Sequence, residues 1–137
     1  PRGGTCVDAL YLTLLYFLVS AVIVFIGVVL FELVTTKYKD WDEIAGGNAA
    51  VAVSVAGKII GISIVLLFAI LEGETVSVTL LWGGLGVILE ILVYFLLEWL
   101  TPKFSVQEKL KEGNLAVGII SFAVSVGLGL VIGASIT

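Results

Sequence analysis

Four stretches of this chain, residues 10–33, 48–71, 76–97 and 114–136, are long and apolar enough to cross a bilayer, and none carries more than one charge. A spanning helix needs about 20 such residues. Backbone amides in hydrocarbon must be satisfied within their own segment, so all four read as helices despite their Val and Ile content. The composition agrees: 60% of residues are hydrophobic and 13% charged, against roughly 45–50% and 25% in soluble domains. Residues 10–33 span fully and are read as a membrane helix, not a cleaved signal. The fold class expected is an all-α integral membrane protein, a single domain over residues 1–137.

The chain also matches itself at an offset of 66, without a gap. Glu32-Leu33-Val34-Thr35 aligns with Glu98-Trp99-Leu100-Thr101, Gly47-Asn48 with Gly113-Asn114, and Gly61 with Gly127. This predicts two tandem helical hairpins, about 10–71 and 76–137. Each unit has two spans and returns the chain to its starting side, so the units are parallel. Lys37, Lys39, Lys103, Lys109 and Lys111 fall in the two repeated links, 34–47 and 100–113, whereas the opposite side has only Arg2. The positive-inside rule therefore puts both links in the cytoplasm and both termini outside. Tyr38, Trp41, Trp99 and Phe104 then sit at the inner interface, and Tyr11 and Trp82 near the outer one.

Each link reads as a short interfacial helix. Asp40 with Glu43, and Ser105 with Glu108 after Pro102, have the spacing of a capping box. Trp41 and Ile44, or Val106 and Leu110, would dip toward the membrane. A glycine ends each turn, and Asn48 or Asn114 is placed to cap the next helix. The sharper alternative is that these two amides line a polar entrance. Glu32 and Glu98 recur with the repeat and read as solvated helix ends.

Small residues mark the helix contacts. Ala50, Ser54, Gly57 and Gly61 share one side of the second span, with counterparts Ala116, Ala123 and Gly127, continued by Ala134. The fourth span has another small face: Gly118, Ser121, Ser125, Gly129 and Gly133. Such faces let backbones approach where lipid offers no hydrophobic drive. One face suffices inside a four-helix subunit, so the other suggests a homo-oligomer.

Lys58 and Glu90 are the informative charges. Each costs about 2.5–3.5 kcal/mol at mid-membrane on insertion scales and is expected to face the interior and pair. Lys58 lies ten residues beyond Asn48 and Glu90 eight before Glu98, so their depths differ by about 3 Å at 1.5 Å per residue. Two readings follow. Either a structural ion pair sets which helices adjoin, or Glu90 is a proton or cation site with Lys58 as tethered counter-ion.

The repeated Gly-Asn before an Ala/Val-rich helix, Gly57-x-x-x-Gly61, Leu81-Trp82-Gly83 and the ending Gly133-Ala134-Ser135-Ile136-Thr137 resemble domain-of-unknown-function family 350. The resemblance covers nearly the whole chain. It implies a small multi-pass protein of the prokaryotic inner membrane built from two tandem two-helix units, and it implies no activity.

Several function classes fall away. There is no His, a net charge of −4 and one cysteine, Cys6. Imidazole catalysis, a thiolate metal cluster, haem ligation and a basic nucleic-acid footprint are not available. No enzyme, metal or cofactor is expected. The leading expectation is a self-associating scaffold in the lipid bilayer, with membrane or cytoplasmic protein partners. The alternative is a small oligomeric ion or proton channel or transporter using Glu90 and Lys58.

Overall fold

Apolar runs cannot leave their amides unpaired in lipid, and the computed structural model accordingly carries each of them as continuous helix. It describes residues 6–34, 39–72, 75–100 and 105–136. The order is α1 (Cys6–Val34), α2 (Asp40–Ala45), α3 (Ala49–Leu71), α4 (Val76–Leu100), α5 (Val106–Lys111) and α6 (Leu115–Ile136). There is no strand among the described residues. The four long helices are the expected spans, and α2 and α5 are the short helices of the links. Helix α5 starts 66 residues after α2, and α6 starts 66 after α3.

Helices α1 and α4 run past the apolar stretches that announce them, starting at Cys6 and ending at Leu100. Hydropathy registers only the part in hydrocarbon, whereas the backbone ladder continues into the interface. Lys37, Tyr38, Pro102, Lys103, Phe104 and Arg2 lie outside the described residues. Trp41 and Trp99 present half or more of their surface outward, as interfacial anchors do.

Both link helices stop in the same way. Gly47 and Gly113 adopt φ of 89° and 83°, a left-handed conformation that costs glycine nothing. This turns Asn48 N–H onto Glu43 O at 2.9 Å and Gly47 N–H onto Ile44 O at 3.0 Å, the paired bonds of a Schellman ending. Asn114 N–H to Lys109 O (2.9 Å) and Gly113 N–H to Leu110 O (3.0 Å) repeat the pattern.

Helix α3 is the centre of the bundle and the most buried span. Its longest contact is with α6, and the two backbones touch. A Cβ at Gly57 would stand 2.6 Å from Phe122 Cα, one at Gly118 would stand 2.7 Å from Ala50 O, and one at Gly129 would stand 2.8 Å from Gly61 Cα. Gly133 abuts the Phe68 ring in the same way. Thus the Gly118, Ser121, Ser125, Gly129, Gly133 face of α6, read above as the spare one, is occupied within the subunit. The strip that matches α3 in sequence turns outward instead: Ala116, Ala123 and Ala134 are exposed, and Gly127 has open space where a Cβ would go.

Two apolar clusters complete the core. Ile23, Phe31, Ile62, Leu66, Val87 and Tyr94 join α1, α3 and α4. Ala50, Val51, Val55, Val106 and Leu110 pack the second link under α3. Val106 and Leu110 therefore point into the bundle, not into the membrane interface.

Candidate functional site

Lysine stems are long enough to bury while the ammonium seeks polar company. Lys58 is only 4% exposed, and its Nζ donates to Ser54 Oγ, one turn back on α3, at 3.0 Å. Ser54 Oγ is in turn 2.9 Å from Ser121 Oγ on α6. The rings of Phe31 from α1 and Tyr94 from α4 each stand 5.0 Å from Nζ. They meet edge to face at 6.1 Å. Each ring presents a negative face that offsets part of the ammonium's lost hydration. Four helices thus contribute to one buried cation.

Glu90, 3% exposed, lies one turn before Tyr94 on α4. It shares with Lys58 a cavity of about 10 Å³, also lined by Tyr94, Ser121 and Ser125. That is room for about one water molecule. Glu90 Oε1 has no hydrogen-bond partner among the described residues and presses on Gly61, where a Cβ would stand 2.6 Å from it. The expected direct ion pair does not form: Nζ lies beyond 4.0 Å from the Glu90 carboxylate. The two charges act on each other across the cavity. The physical reason is competition, because Ser54 and the two rings hold the ammonium.

Asp40 is the residue that sequence reasoning placed wrongly. The N-cap of α2 is Lys39, and Asp40 is the first helical residue. Asp40 is 2% exposed. Burial raises its carboxyl above the ordinary value of 3.8, the charge of Lys58 pulls it back, and Glu32 pushes it up again. No pattern in an exposed-looking link, Lys-Asp-Trp-Asp-Glu, marks which acid turns inward. The raised value has a consequence for stability. The folded state holds the Asp40 proton more tightly than the unfolded state, so stability should fall as pH rises from about 3.8 through the raised value. Asp40→Asn should flatten that part of the profile and be no less stable at pH 7. Thermal unfolding in detergent across pH 3–8 is the check, and a variant that melts well below the wild type at pH 7 would contradict it.

The repeated polar residues serve the links. Asn48 Oδ1 accepts from Val51 N–H at 3.2 Å. Its Nδ2 donates to Leu110 O at 2.9 Å, Lys111 O at 3.1 Å and Glu43 Oε1 at 3.1 Å. It therefore caps α3 and ties that cap to the end of α5. Asn114 Oδ1 accepts from Val117 N–H at 3.3 Å, capping α6. Glu98 is not a solvated end. Its Oε1 accepts from Ser105 Oγ (2.7 Å) and Val106 N–H (2.9 Å), and its Oε2 accepts from Gln107 N–H (3.2 Å). A carboxylate there satisfies the free amides of the first turn of α5. Glu32 is half-buried, and its charge reaches Asp40.

A second, larger hollow of about 600 Å³ lies between α1 and α3. Phe17, Val24, Phe25, Trp41 and Leu67 are among its lining, with the hydroxyls of Ser20 and Ser63. No charged side chain lines it among the described residues.

Four apolar helices of spanning length, with one buried cation and two buried acids among the described residues, define an integral membrane protein. The chain belongs to the family described as Domain of Unknown Function (DUF350), which matches residues 5–136. It is similar to the UPF0719 transmembrane protein YshE of Bacillus subtilis (strain 168), with 40% identity over 121 residues, 88% of this chain and 90% of that protein. It is also similar to the UPF0719 inner membrane protein YjfL of Escherichia coli (strain K12), with 25% identity over 112 residues, 82% and 83% of the two chains. No solved structure matches it.

Proposed function

We propose that this chain is a non-enzymatic protein of the prokaryotic inner membrane that moves protons, or a monovalent cation as small, through a site at Glu90 with Lys58 as its tethered counter-ion. The name of the Escherichia coli relative supports the location, and the lysines of the links support a topology with both links cytoplasmic and both termini outside. One observation carries the functional reading. Glu90 Oε1 is buried without a hydrogen-bond partner among the described residues, beside a cavity of one water's size, while the nearby ammonium is held elsewhere. A pair retained only for packing is expected to close onto direct contact, whereas here the Glu90 carboxyl is helped by Ser125 of α6 and keeps one oxygen without a partner among the described residues. An ionisable group inside a membrane is by default a functional hypothesis.

The test is proton flux in proteoliposomes that hold a pH-sensitive dye under an imposed potassium diffusion potential. Wild type should acidify or alkalise the lumen according to the sign of the potential, and Glu90→Gln should reduce the rate at least tenfold. Equal rates for wild type, Glu90→Gln and protein-free vesicles would end this reading.

Self-association, the other reading, has one specific support in the outward strip Ala116, Ala123, Gly127 and Ala134. Small residues on a lipid-facing surface suit close approach of a second copy. Native mass in mild detergent should show a homo-oligomer that Gly127→Leu reduces to monomer. A monomeric wild type would remove the support.

A further inference from the structure

We propose that Lys58 is a counter-ion shared between Asp40 and Glu90, so that a proton taken up by one of the two carboxyls hands the ammonium to the other. This rests on the reading of Glu90 and Lys58 as a proton site, and it adds Asp40 as the group that connects that site to the first link.

The three side chains come from three elements and are all at least nine-tenths buried: Asp40 on α2 at 2% exposure, Lys58 on α3 at 4% and Glu90 on α4 at 3%. Helix α2 packs on α3 and α3 on α4, so Lys58 is on the element between the two acids. Its charge acts on both carboxyls, yet its Nζ is within 4.0 Å of neither. The hydroxyl of Ser54 and the rings of Phe31 and Tyr94 hold it instead. When the ammonium swings on its four-carbon stem it gives up that hydrogen bond and those ring contacts, and a charge-assisted contact with the ionised carboxylate replaces them.

The charge balance then does the selecting. One ammonium facing two ionised carboxylates leaves a net negative charge in a low-dielectric interior, which costs several kcal/mol. One bound proton removes it. Two arrangements have the same zero net charge: Asp40 ionised with Glu90 protonated, or Asp40 protonated with Glu90 ionised. Conversion between them breaks one carboxyl O–H bond and forms the other. Lys58 stays an ammonium throughout and moves toward whichever carboxylate is charged. The charged groups that act on Asp40 are Lys58 from α3 and Glu32 from α1, and the groups that face Glu90 are Lys58 from α3 and the hydroxyl of Ser125 from α6. Only Lys58 also acts on Glu90, so coupling between the two acids runs through it.

The chain contains three aspartates, Asp8, Asp40 and Asp42, which makes Asp40 accessible to measurement. Full-length protein with 13C-carboxyl aspartate is titrated by NMR in lipid nanodiscs. The Asp40 signal is the one lost in Asp40→Asn, and exposed Asp8 and Asp42 serve as references. Glu90→Gln removes the competitor for the ammonium, so the Asp40 midpoint should fall by about one pH unit, a tenfold change. In a Lys58→Met background the same Glu90→Gln change should leave the Asp40 midpoint within about 0.3 unit. These titrations begin at acid pH, where both carboxyls are neutral and Lys58→Met buries no uncompensated charge. Lys58→Gln, which keeps a donor for Ser54, is the second variant where Lys58→Met does not fold.

An Asp40 midpoint that ignores Glu90→Gln overturns the proposal. So does a shift of equal size with and without Lys58, because the two acids would then repel each other directly. Neither outcome touches the flux experiment. Flux that depends on Glu90 without coupling to Asp40 removes only this inference, and coupling without flux removes only the transport reading.

Discussion

Gly129→Leu should separate α6 from α3 and cost about 3 kcal/mol or more, beyond the ordinary range for overpacking a core. A Cβ at residue 129 would meet the carbonyl oxygen and Cα of Gly61, the latter at 2.8 Å. Backbone on the central helix has nowhere to retreat, unlike the end of a flexible side chain. Gly127→Leu, two residues away, should change the stability of the single subunit by less than about 0.5 kcal/mol, since nothing in the subunit stands within 4 Å of its added Cβ. The contrast is the measurement: thermal unfolding of both variants in one detergent, with the wild type. Equal melting temperatures for the two would mean that α3 and α6 do not meet through these glycines.

Lys58→Met should be the most damaging change to a polar residue in the bundle, about 3–5 kcal/mol at pH 7. Methionine fills the space of the lysine stem, so the loss is one of charge and not of volume. It leaves Asp40 and Glu90 buried with no cation beside them. Adding Glu90→Gln and Asp40→Asn to Lys58→Met should restore most of the loss, because the triple variant buries no charge at these positions. Unfolding of the single and triple variants at pH 7 decides the point. A single variant within about 1 kcal/mol of wild type would show that the cation has no structural partner in either acid.

These two variants mark where the amino-acid sequence is informative and where it stops. The four spans are legible because bilayer thickness sets a length that any apolar run either meets or fails. The ends of the links are legible too. Gly47-Asn48 and Gly113-Asn114 carry a left-handed residue followed by an N-cap, and both jobs depend on the backbone a few residues away. Glu98 was harder. A carboxylate near the end of a span looks solvated until the chain folds back and puts the first amides of α5 on it. The same is true of Asp40, whose burial depends on how α2 lies on α3.

The α6 glycines show the limit most clearly. Two small faces are present on that helix, and helical periodicity ranks neither above the other. Only the packing of α3 assigns Gly118, Gly129 and Gly133 to the interior and turns Gly127 outward. The linear chain determined its number of candidate spans, its helical class and the caps at Asn48, Ser105 and Asn114, since all of these follow from solvent and short-range backbone geometry. The tertiary structure alone decided which side of α6 is used, that Asp40 is buried and feels the charge of Lys58, and that the ammonium rests on a hydroxyl and two rings. Those outcomes depend on which surfaces reach one another across the bundle, and contacts of that kind are a property of three helices at once.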